Sequence, residues 1–181
     1  ADSLFDVAAV TKSVGGLMTL WAVSEGLLSL DDAVHKFLPD ITIVGGLPPT
    51  VRDLMSYAVR LHLDFLKKPY TGNPSFFYGP TLRCAHMTAG STLHYGNYQP
   101  ILLALILEKL TGKTFADLVS EVLFVPIGMS GATFDPPKSL ERVVATEVEG
   151  DIASGSLLCG TVHDEFTRAS GLPGASGLFA T

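Results

Sequence analysis

At 181 residues the chain is long enough for one domain with a hydrophobic core and too short for two ordinary ones, so residues 1–181 read as a single domain. Apolar residues make up 47% and charged residues only 17%, a surplus that expects cover from outside the chain. No apolar run reaches the roughly 18 residues of a membrane span, and a net charge of −6 without a basic cluster argues against a nucleic-acid partner.

From Val10 to Ala22 the residues Val10, Val14, Leu17, Met18 and Trp21 recur at helical spacing, with Gly26 as a stop, which predicts a buried amphipathic helix. Ser29 with Asp32 reads as a capping box opening a short helix through Phe37, closed by Pro39. Residues 40–49 read as a loop on their glycines and prolines. Thr50 with Asp53 is a second capping signal, for a helix through Arg60. The stretch 67–94 lacks periodicity and reads as a long excursion, of the kind that is functional or disordered.

Pro100 suits a first helical turn, and Ile101 to Leu110 is apolar almost all round, as in a helix buried on most sides, with Gly112 as its stop. Thr114 and Asp117 cap a helix through Leu123, Val143 to Val148 alternates as a short strand, and Asp164 caps a short helix to Ser170. The tail from Gly171 is rich in small residues. Cys84 and Cys159 stand far apart, with neither zinc-ligand spacing nor a disulfide framework around them. On pattern alone this is a mostly α domain, with at least five helices and one or two short strands.

Three stretches, in order, carry a resemblance. Residues 4–12 read LFDVAAVTK and run through a helix into EGLLSLDDAVHKFLPD; residues 89–112 read AGSTLHYGNYQPILLALILEKLTG and run on to FVPIGMSGATFDPP; GTVHDE and GASGLFAT stand near the end. Together they resemble the penicillin-recognising serine hydrolases, the family of class C β-lactamases, D-Ala-D-Ala peptidases and related esterases. The segment PPTVRDLMSYAVRL also follows a family segment, with Val59 and Arg60 where small residues are expected.

The resemblance implies a Ser-x-x-Lys motif at a helix start. There the lysine lies one turn from the serine on the same face and takes its proton, while the helix N-terminus favours developing negative charge. Lys12 keeps its place, but Ala9 occupies that of the nucleophile. Ser13 is no substitute, because neighbouring helical residues point about 100° apart. By the same resemblance Tyr95 shares proton transfer with Lys12, and Asn97 binds the substrate amide. His163 and Asp164 are too close in sequence to face each other as a dyad, and Asp164 reads as a helix cap.

The expected fold is therefore the helical subdomain of the α/β β-lactamase/transpeptidase-like fold, with the flanking β-sheet strands, which carry the third family motif and an oxyanion-hole amide, absent. The apolar surface those strands would cover is left open for association. The resemblance implies a small-molecule or peptide substrate (a β-lactam, an ester or a cell-wall peptide), export to the cell envelope, and chemistry that uses no metal and no cofactor. The alternative to an inactivated hydrolase is a natural pseudoenzyme that binds a ligand or partner protein.

Overall fold

The computed structural model describes residues 2–39, 42–43, 47–62, 86–90, 92–139, 141–149 and 155–181. Its helical centre is α4 (Tyr98–Thr111). Ile101, Leu102, Ala104, Ile106 and Leu107 on this helix are all but wholly buried, as its unbroken apolar sequence requires. Around it pack α1 (Thr11–Ser24), α3 (Val51–Met55) and α5 (Phe115–Val119), with the short α2 (Val34–Phe37) alongside. They contribute Met18 and Ala22, Val51 and Leu54, Phe115 and Leu118, and Val34 to one continuous core. Apart from Ala22, each such side chain contributes roughly 1.5–3 kcal/mol by leaving water.

Several expectations hold locally. Thr50 and Asp53 form a complete capping box, Thr114 caps α5, and Asp164 caps α6 (Glu165–Ser170) by accepting from the Thr167 amide. Others are corrected. The Asp32 carboxylate does accept from the Ser29 amide, at 2.8 Å, but closes a turn; α2 begins only after Ala33, where the Val34 amide bonds to the Pro49 carbonyl.

The helix from Thr50 stops at Met55 and does not reach Arg60. Tyr57 takes a left-handed φ of 56°, the Ala58 amide bonds back to the Asp53 carbonyl, and the chain turns into β3 (Val59–His62). Residues 40–49 contain β2 (Thr42–Ile43), and the end of the 67–94 stretch contains β4 (His86–Ala89). β4 is the central strand, parallel to β2 and antiparallel to β3. Residues 67–85 and 91 of the expected excursion, with residues 63–66 before it, lie outside the described residues. Beyond α5 the expected helix runs on as a π-helical turn, Ser120–Phe124.

The expected strand near Val143 is β5 (Glu147–Glu149), paired with β6 (Ser156–Leu158), while Val143 itself bridges to Leu4. With β1 (Phe5–Asp6) and β7 (Phe179–Ala180) the described residues hold seven short strands, more than the one or two that pattern suggested. They were missed because two- to four-residue strands paired far along the chain leave little periodicity to read.

The β1–β7 ladder is antiparallel and lays residues 178–181 beside the entry to α1. The Val7 amide bonds to the Leu178 carbonyl at 3.0 Å, and the Leu178 amide to the Thr11 hydroxyl at 3.3 Å. Val10 at the entry to α1, and Leu17 and Leu20 on it, remain 61%, 49% and 48% exposed along one side of the helix. No helix among the described residues is long and apolar enough to cross a membrane.

Candidate active site

The site is built on the turn that enters α1. One oxygen of the Asp6 carboxylate accepts the Ala8 amide at 2.8 Å, and Ala8 takes a left-handed φ of 46°, a strained conformation for a residue with a Cβ. A single 3₁₀ turn, Ala8–Val10, follows and carries Ala9 exposed to solvent. The turn is locked from beneath by fully buried Thr11, whose hydroxyl donates to the Ala8 carbonyl at 2.7 Å while accepting from the Leu178 amide.

Lys12 lies in the first turn of α1, three residues after Ala9. Its Nζ donates to the Ala175 carbonyl at 2.8 Å and stands 5.5 Å from the centre of the Tyr95 ring, within cation–π range. The acceptor is held in place by Gly174, where φ is +101° and a Cβ would come within 2.5 Å of the Pro100 carbonyl oxygen. Only glycine lets residues 174–177 lie this close to α4.

Tyr95 is 65% exposed, and its ring stacks on Tyr57 with centroids 5.3 Å apart and planes 16° from parallel. Tyr57 is the half-buried member of the pair. Burial, and to a lesser degree the neighbouring Tyr95 phenol, raises its pKa above the ordinary tyrosine value. Asn97 sits at the entry to α4, and its Nδ2 donates to the Asp164 carboxylate at 3.3 Å. The second Asp6 oxygen accepts the His163 amide at 2.8 Å. A chain of bonds therefore runs from the Ala8 turn through Asp6 to residues 163–164 and on to Asn97.

Of the residues singled out in the sequence, Lys12 and Tyr95 are brought into direct contact range. Asn97 is tied to the same turn through Asp164 and Asp6, and Ala9 stands at the exposed tip of that turn. His163 and Asp164 form no dyad: the histidine engages Asp6 through its backbone, and the aspartate caps α6. Sequence reasoning missed Asp6 as a clamp, Tyr57 as the stacking partner of Tyr95, and the Ala175 carbonyl as the acceptor for Lys12. The aspartate within LFDVAAVTK was the one available signal; a backbone carbonyl has none.

Chemically the site offers an ammonium, two stacked phenols and a carboxamide beside an inert methyl group. These groups can bind and orient an acyl compound, but the methyl of Ala9 has no lone pair with which to attack it.

The family model described as Beta-lactamase matches residues 1–181. A putative D-alanyl-D-alanine carboxypeptidase of Escherichia coli (strain K12) is 29% identical over 98% of this chain and 48% of its own length. The crystal structure of FmtA from Staphylococcus aureus superposes with a TM-score of 0.73 at 19% identity, over 99% of this chain and 48% of that one. A beta-lactamase/D-alanine carboxypeptidase from Yersinia pestis gives a TM-score of 0.70 at 21% identity, over 99% of this chain and 51% of that one. At these identities the two structures speak for the fold alone. The chain spans about half the length of the curated relatives it matches.

Proposed function

The chain belongs to the beta-lactamase family, and on that footing we propose that residues 1–181 act as one unit, the helical region of a serine hydrolase that works by acyl transfer on amide or ester bonds of β-lactams, esters or cell-wall peptides. The nucleophile's place is taken by Ala9, so the chain is inactive as it stands. Lys12 is the base for that position, Tyr95 shares its proton, and Asn97 holds the substrate amide. The observation that carries this reading is the position of Lys12 Nζ, fixed on the Ala175 carbonyl and over the Tyr95 ring, three residues from exposed Ala9.

The test is Ala9→Ser in a polypeptide that also carries the strands the family adds around this region. After exposure to a β-lactam, mass spectrometry should find one equivalent of bound drug on the serine protein and none on the alanine protein. Lys12→Met in the serine background should slow acylation by about 10²–10⁴-fold, the usual contribution of a positioned base. A serine protein that gains no mass from β-lactams and hydrolyses no short ester sinks the proposal.

Ala9 itself favours a second reading, a pseudoenzyme that keeps the binding groups and has lost the chemistry. In that case the alanine protein binds a family substrate reversibly, and Lys12→Met weakens binding. In either reading the exposed face of α1, with Val10, Leu17 and Leu20, is where the sheet strands of the complete β-lactamase/transpeptidase-like fold pack.

A further inference from the structure

Residues 173, 176 and 177 also line a cavity of about 530 Å³ that Lys12, Tyr95 and Asn97 do not reach, within the range of small-molecule sites. Phe134, Val162 and Leu172 form part of its apolar wall. Two features of this wall have no internal explanation. The hydroxyls of Thr167 and Ser176, in side chains respectively 7% and 4% exposed, are buried without a hydrogen-bond partner. Buried hydroxyls are ordinarily paired, and an orphan is costly unless something arrives to meet it.

The second feature is charge. In a chain of net charge −6, two cations, Lys138 and Arg168, converge on this one cavity, and among the described residues neither forms an ion pair. Arg168 reaches only the Val162 carbonyl, at 3.5 Å. The one acid in the lining, Glu108, already accepts from the Phe115 amide at 2.7 Å. Gly160 packs closely on the backbone that carries Lys138: a Cβ there would meet the Pro137 carbonyl oxygen at 2.5 Å and the Lys138 Cα at 3.0 Å.

We propose that this cavity is a binding site for a small carboxylate with an apolar body, separate from the site around Lys12. The carboxylate lies between Arg168 and Lys138, where a planar guanidinium and an ammonium both suit it. The hydrocarbon lies against the apolar part of the wall, Phe134, Val162 and Leu172.

The test is titration of the 181-residue protein with 4-phenylbutyrate, benzoate and octanoate, each beside its neutral primary amide, followed by amide NMR. At least one acid should saturate and shift residues 160–168 and 171–177, and should bind at least 10-fold tighter than its amide. Arg168→Gln should weaken the acid at least 10-fold and leave the amide within 2-fold. Lys138→Gln, at an exposed side chain that the fold does not use, should weaken the acid at least 3-fold and serves if the arginine variant misfolds. Absence of saturable shifts in these segments with all three acids overturns the proposal, as does equal binding of acid and amide.

Discussion

Asp6 makes two charge-assisted bonds at once, to the amides of Ala8 and His163, and holds Ala8 in its strained φ. Asp6→Ala should therefore cost about 2 kcal/mol, within the range for hydrogen bonds to a charged group, measured by urea denaturation. Tyr57 gives a pH dependence whose sign follows from its raised pKa. Below about pH 10, the ordinary tyrosine value, folded and unfolded chains both keep the phenolic proton and nothing changes. Above it the unfolded chain ionises first and binds fewer protons than the folded one, so stability falls as pH rises toward the folded pKa. Tyr57→Phe should remove that alkaline loss, which paired denaturation curves at neutral and alkaline pH would reveal. At this scale Ala9, Lys12, Tyr95 and Asn97 were singled out by resemblance to a family motif, and the structure brings Lys12 and Tyr95 of these into contact range. Tyr57 was not, because a non-glycine residue at positive φ leaves no mark in the sequence, and neither does the choice of Ala175 as the carbonyl that receives Lys12.

Helix starts were the most legible elements, because Thr50, Thr114 and Asp164 announce them with their own side chains. Thr50→Ala should cost about 1 kcal/mol of stability, seen as a lower urea midpoint with an unchanged slope. Helix ends were read less well. Glycine marked those after α4 and α6, where Gly112 and Gly171 are left-handed, but the end of α3 depends on Tyr57 and on β3 pairing with a strand more than twenty residues away. Two glycines test the packing of elements in opposite directions. Gly174→Ala puts a Cβ 2.5 Å from the Pro100 carbonyl oxygen and 2.9 Å from the Ala104 Cβ, at a positive φ, so it should cost roughly 2–5 kcal/mol from overpacking and strain together. Gly16→Ala, inside α1 with nothing within 4 Å of its new methyl, should raise stability by about 0.5–1 kcal/mol. Thermal unfolding of the two variants should move in opposite senses.

For the molecule as a whole, composition alone pointed to apolar surface in need of cover, and the exposed Val10, Leu17 and Leu20 of α1 give that surplus an address. Replacing Leu17 and Leu20 together by Asp should leave the urea midpoint within about 0.5 kcal/mol of stability, as for exposed positions, and should abolish any concentration-dependent rise in sedimentation coefficient. The helical core was legible because a long apolar helix must lie at the centre, whereas the strands were not, since their partners lie far along the chain. The pairing of β1 with β7 has a mechanical consequence. Phe5 faces Ala180 and Asp6 faces Phe179, so tension applied at Leu4 and Thr181 enters the ladder from one end and breaks its bonds in succession, like a zip. Once the two β1–β7 pairs have parted, the bonds that tie Val7 and Thr11 to Leu178 are next to yield, and with them the turn that presents Ala9. In an optical trap the ladder should open at a lower force than the helical core, leaving a molecule still folded around α4 whose Ala9 turn has been pulled out of shape.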